Sequence, residues 1–257
     1  MICLLDLELF TNFRLNSNDE FLSQEGGNDI CLGLHRHFAT LDETVFHGTK
    51  EPDMKEKRVM RRMALRWPIL CPAGIAVIIF YCVFTFTSLA LFPRPYSPVN
   101  NWLSDLGNSS FSPNGAVFFN IGCVLTGLAL FAFYAGFHSW YTREYWRRCL
   151  LIATQAVGFC SALALVMIGV FSEDYPAQHS FWSQVFFVLN LAVLLLANTS
   201  LITHPDFIKP VGYYGYAVAA INLTLVLIST TPLIEWLTVS TALAYAGLLV
   251  YNTFKLT

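Results

Sequence analysis

From residue 68 onward the sequence is dominated by six apolar runs, at roughly 68–92, 115–137, 150–171, 181–203, 212–231 and 233–252. A bilayer's hydrocarbon core is ~30 Å thick and a helix rises ~1.5 Å per residue, so about 20 residues span it. Each run comes close to that length or passes it, and no Asp, Glu, Lys or Arg stands in the middle of any run. The pattern predicts an all-α fold, a polytopic membrane bundle of six transmembrane helices. Only Pro232 separates the last two runs, which predicts a tight hairpin or one broken element. The first run far exceeds the ~7–15 residues of a signal h-region and reads as a retained anchor.

Composition agrees. The chain is 55% hydrophobic and 12% charged, with a mean hydropathy of +0.53, whereas soluble domains carry about 25% charge. This implies a lipid bilayer as the chain's surroundings and argues against a nucleic-acid partner. The formal charge is segregated. Residues 1–53 hold ten acidic residues against Arg14, Arg36 and Lys50, and residues 54–257 are net basic. The first 53 residues read as an acidic, disordered tail. Met54 opens Met-Lys-Glu-Lys-Arg-Val-Met-Arg-Arg, a natural beginning for a membrane protein, so 1–53 reads equally as an over-extended gene start. Residues 54–257 form the six-helix domain. The seven cysteines show no C-x-x-C and no zinc spacing, and read as small hydrophobes.

Basic residues set the expected orientation. Lys55, Lys57, Arg58, Arg61, Arg62 and Arg66 precede the first run; Arg143, Arg147 and Arg148 follow the second, Lys209 follows the fourth, and Lys255 lies at the C-terminus. The opposite side carries only Arg94. Both termini are therefore expected in the cytoplasm, with the protein in the cell membrane. Trp67, Trp102, Trp140, Trp146, Trp182 and Trp236 fall near expected helix ends, where amphipathic rings prefer the interface.

Within the runs, Asn120, Gln155, Asn190, Asn198 and Asn222 should point inward, because an amide facing lipid leaves its donors and acceptors unmet. They serve either as interhelical glue or as a polar path. The lack of a charge at mid-span weighs against an ion-coupled carrier. Thr154, Gly158 and Ala162 on the third helix, and Ala132 and Gly136 on the second, repeat every four residues and read as close-packing stripes.

The candidate chemistry lies in two outer loops. The first runs from Arg94 through Asn100, Asn101, Ser104 and Asp105 to Ser110; the second carries Glu173, Asp174 and His179, with Ser183 one turn further on. Asp105 and His179 are the candidate catalytic pair, since imidazole beside a carboxylate performs general acid–base work near neutral pH. Asn100, Asn101, Ser104, Glu173 and Asp174 are the candidate ligand-binding residues. Ser104 and Ser183 lack a nucleophile-elbow motif, and the mixed ligands have no recognised metal spacing, so no metal or cofactor is assigned. The competing reading makes Asn100 to Asn108 turn formers and caps. A zinc hydrolase needing three histidines fails, because the expected topology puts His138 and His204 on the face opposite His179.

The motif Ser97-Pro-Val-Asn-Asn-Trp-Leu-Ser-Asp-Leu-Gly, with Pro113 and Phe118-Phe-Asn-Ile-Gly, resembles the bacterial and archaeal membrane family called domain of unknown function 998. The stretch Gly169-Val-Phe to Glu173 and His179 is similar to its second landmark, and the resemblance covers residues 64–255. That family implies the six-helix fold and the membrane. More distantly, the Ser104-Asp105 pair and His179 resemble the Frag1/DRAM/Sfk1 group, whose members are linked to lipid remodelling, autophagy and lipid organisation. The resemblance implies that Ser104, Asp105 and His179 are motif positions. The expected function is binding or modifying lipid at the extracytoplasmic face, with a lipid headgroup as partner. The alternatives are a non-enzymatic scaffold and a small-solute transporter.

Overall fold

The computed structural model describes residues 68–228 and 231–256. The expected tail 1–53, the Met54 start, the basic cluster 55–66 and Trp67 lie outside the described residues. Six helices form: α1 Leu70–Ala90, α2 Ala116–Ala135, α3 Tyr145–Val170, α4 Pro176–Leu201, α5 Lys209–Ile228 and α6 Pro232–Phe254. Each is long and apolar enough to cross a membrane, and no strand occurs among the described residues. Short 3₁₀ turns occupy Leu103–Gly107 and Gly136–Trp140. The exposed face of α1, with Ile75, Ile79, Val83 and Phe86 at helical spacing, is an apolar stripe suited to lipid.

Two helices, α3 and α4, begin about five residues earlier than hydropathy indicates. α3 starts at Tyr145 because its first turn is amphipathic: Arg147 pairs with Glu144 at 3.0 Å and lies over the Trp146 ring. Long basic side chains cover apolar surface while their heads reach outward. α4 starts with Pro176 in its first turn, where a missing N–H costs nothing. This places His179 inside the helix.

The helices form a ring. Each packs on its neighbours in sequence, and α6 closes on α1. At one end of the ring the Cys71 thiol reaches the Val250 carbonyl at 3.7 Å, and Trp140 Nε1 donates to Thr253 Oγ1 at 2.9 Å. Trp140 is thus buried by the end of α6 rather than interfacial. This end carries Arg143, Arg147, Arg148, Lys209 and Lys255, and is the basic end. The other, acidic end carries Asp105, Glu173, Asp174 and Glu235, with Arg94 its one described cation.

Amides act as glue between helices. Gln155 Nε2 donates to the Tyr134 and Ala135 carbonyls at 3.1 and 3.0 Å, and the Tyr141 hydroxyl donates to Gln155 Oε1. Tyr245 donates to Asn198 Oδ1 at 2.7 Å, joining α6 to α4. Such bonds contribute ~0.6 kcal/mol each on average.

The small-residue stripe of α3 is buried as expected: Thr154, Gly158 and Ala162 all face neighbours. On α2 the expectation is half wrong, because Ala132 is exposed. α2 ends at Ala135, and the tighter 3₁₀ turn carries Gly136 off the α-helical stripe, against the backbone of Leu70. A Cβ there would lie 2.4 Å from Leu70 N and 2.6 Å from its Cα. We expect Gly136→Ala to destabilise the fold by ~1–3 kcal/mol, and Ala132→Leu to change it by less than ~0.5 kcal/mol. Thermal unfolding of the detergent-purified protein checks both.

Candidate functional site

Between α1 and α2 the chain crosses the acidic end in a long connection, and hydrogen bonds pin it on several sides. Ser88 Oγ donates to the Leu106 carbonyl at 3.1 Å, and Asn120 Nδ2 donates to the Gly107 carbonyl at 3.1 Å. The Tyr96 hydroxyl donates to the Trp102 carbonyl at 2.7 Å and accepts from Trp236 Nε1 at 3.2 Å. The Leu103 N–H donates to Glu235 Oε2 at 2.9 Å. The loop is a fixed cover on the ring.

The expected site residues divide into groups. Asp105 is buried and caps its own turn: its Oδ2 accepts the Trp102 N–H at 2.9 Å. Burial raises the Asp105 carboxyl above the usual range, against the opposing pull of the Trp102 N–H and Asn101. Asn101 Oδ1 accepts the Ser97 N–H at 3.2 Å, and Asn100 is exposed. Asp174 staples the two outer loops. Its Oδ1 accepts from Ser109 N and Oγ at 2.9 and 2.7 Å, and its Oδ2 accepts from Ser172 Oγ at 2.9 Å. Slight burial works against ionisation of Asp174, but those hydrogen bonds outweigh it and lower its carboxyl.

Glu173 is different. Its Oε2 is buried with no hydrogen-bond partner among the described residues. Burial first, then the Asp105 and Asp174 carboxylates, push the Glu173 carboxyl up to about 7. Glu235 on α6 lies within charge reach of both Glu173 and Asp105, so three carboxyls crowd the acidic end.

His179, Ser183 and Ser104 reach a further feature, a cavity of about 140 Å³ inside the ring. The His179 Nδ1 lies 2.9 Å from the Phe171 carbonyl. A carbonyl only accepts, so Nδ1 carries the proton and Nε2 of the neutral ring remains an acceptor. The cavity begins at Ser104, His179 and Glu235. It continues past Thr126, Asn190 and Thr238 to Phe137, Ala197 and Leu249 near the basic end. Residues of α1, α2, α3, α4 and α6 line it, and none of α5 does. Its walls are loosest on α4 and α6. Between His179 and Val193 no residue of α4 is buried, and before Tyr245 only Thr238 of α6 is.

Sequence reasoning expected Asp105, Glu173, Asp174 and His179 to converge; of these His179 lines the cavity, beside Ser104, Ser183 and Glu235, and Glu235 was left out of the expected site. The signal for Glu235 was its position as the single charge in the first turn of α6. Nothing in the sequence marked Thr126 or Thr238. Among the described residues no group of three His, Cys, Asp or Glu side chains is arranged to hold a metal ion.

The model of the family described as "Protein of unknown function (DUF998)" matches residues 75–252, which include parts of all six helices and both acidic-end loops. The chain belongs to this family. No curated protein and no solved structure matches it. The DUF998 match takes in every residue named above as lining the cavity, together with Asp105, Glu173 and Asp174.

The raised Glu173 carboxyl has a thermodynamic sign. An unfolded glutamate loses its proton near ~4.3, while the folded one keeps it to about 7. Stability is therefore fully present at the acid side of this window and falls as pH rises through it. We expect the wild-type melting temperature to fall between about pH 5 and about pH 8. Glu173→Gln should flatten that slope and gain on the order of 2–4 °C at the alkaline side, as read by thermal unfolding across pH.

Proposed function

We propose that this protein binds a lipid, with its hydrocarbon tail in the ring's cavity and its head at the acidic end, and holds or modifies it there. The observation that carries the reading is the cavity itself. It is closed by apolar side chains toward the basic end, reaches polar groups at the acidic end, and has thin walls where α4 and α6 meet the bilayer. Ligand sites combine an apolar enclosure with a few converging polar groups in the same way. In this reading His179 is the acid–base residue, since its ring lines the cavity together with Ser104 and Ser183. Asp105 holds the turn that presents Ser104. Asn100, Asn101, Glu173 and Asp174 shape the rim around the head.

The protein sits in the cell membrane with the basic end in the cytoplasm. Arg143, Arg147, Arg148, Lys209 and Lys255 at one end against Arg94 at the other support this, because basic flanks are retained inside. An impermeant maleimide should label Ser109→Cys, and not Arg143→Cys, in intact cells carrying cysteine-free variants.

The lipid reading is tested by mass spectrometry of the protein purified in mild detergent. Wild type should carry about one lipid per chain, and Ala242→Phe, which fills the cavity from α6, should lose it without losing folded protein. Wild type free of lipid, or a filled variant that binds as well, would overturn the reading in favour of a scaffold.

A further inference from the structure

Most threonines of this bundle satisfy their hydroxyls within their own helix. Thr87, Thr154, Thr199, Thr224, Thr241 and Thr253 each donate to the carbonyl four residues back, at 2.6–3.0 Å. That bond is the default for a threonine in an apolar helix. Two depart from it. Thr126 on α2 and Thr238 on α6 are 2% and 1% exposed, and neither hydroxyl has a partner among the described residues. Both line the cavity. Thr238 lies one turn below Glu235, on the same face of α6, and Tyr81 of α1 is close enough to Glu235 to sense its charge.

The polar groups near the cavity's acidic end are the Glu235 carboxyl, the His179 ring and the Tyr81, Ser104, Thr238 and Ser183 hydroxyls, each able to accept a hydrogen bond. No Lys or Arg lines the cavity, and Arg94 shares a separate surface pocket with Asp105. A half-buried carboxyl without a cation either keeps its proton or takes a partner that brings positive charge and N–H donors. An anionic head would face Glu235, Glu173 and Asp105 together. The cavity is also narrow. Its volume is near that of the ~150 Å³ apolar hole that admits one small aromatic ring, so it takes the first several carbons of one chain and no second. The rest of the tail lies toward the bilayer past α4 and α6, where the walls are loosest.

We infer that the cavity selects a single-chain lipid with a primary-amine head, which seats between Glu235, Thr238 and His179 inside the ring. This rests on the lipid-binding reading and adds the chemical class of the head. The ammonium donates to Glu235 and to His179 Nε2, and its remaining N–H meets the Thr238 hydroxyl. The carboxylate supplies the counter-charge.

The test is native mass spectrometry of the full-length protein in detergent, titrated separately with hexadecylamine, hexadecanol and palmitate. We expect one adduct per chain, with the amine bound at least ~10-fold more tightly than the alcohol and palmitate weakest. Glu235→Gln keeps an oxygen for the Leu103 N–H and should bring amine and alcohol to equal affinity. Thr238→Val, which is isosteric, should weaken amine and alcohol alike by several-fold while melting like wild type. Equal uptake of all three probes by wild type, or an amine preference that survives Glu235→Gln, would overturn the head-group assignment and leave the lipid reading standing. Absence of any adduct would remove both.

Discussion

The structure depends on where its helices can touch backbone to backbone. Without a hydrophobic driving force between helices in lipid, close contact comes from small residues and hydrogen bonds. Gly136 meets the Leu70 backbone, Gly158 lies under the Tyr134 ring, and Gly212 and Gly215 admit Ile202 and Asn198. Near the basic end Trp140 and Tyr245 add their hydrogen bonds, and nearer the acidic end Gly122 and Gly169 bring α2 equally close to α1 and α3. Between Gly215 and Gly247 the chain has no glycine, so the acidic-end halves of α5 and α6 have no such approach. The close approaches therefore join α1, α2 and α3 at both ends, and the looser walls of the cavity fall on α4 and α6.

The cover over the open end shows carboxylates used for structure. Asp174 and Asp105 accept N–H and O–H donors that would otherwise be unmet in the connecting loops, and Glu235 ties the Leu103 turn to α6. Capping and loop stapling of this kind contribute ~0.5–2 kcal/mol each. Glu173 alone gains no such partner and is held against its preference near two other acids. Local choices that oppose stability concentrate at functional sites, and this one sits in the acidic-end loop just before α4.

The candidate site was partly legible in the sequence. Asp105, Glu173, Asp174 and His179 were expected to converge at one face, and they do share one end of the bundle. Their individual tasks were hidden, because whether a carboxylate caps a turn or faces a cavity depends on donors far away in sequence: Ser109 for Asp174, Leu103 for Glu235. The two threonines that bypass their own helix carry no local signature at all. A threonine looks the same in sequence whether its hydroxyl bonds four residues back or points to a ligand.

Hydropathy and charge placement alone determined the six spans, the all-helical class, and the segregation of basic and acidic ends. These depend on the length and transfer energy of contiguous segments, which need no partner to be evaluated. The tertiary structure decided the ring, the cavity, the early starts of α3 and α4, and the face on which each glycine acts. Those features arise from contacts between residues far apart in the chain, such as Gly136 with Leu70 or Tyr245 with Asn198. No periodicity within a single helix specifies which neighbour it will meet.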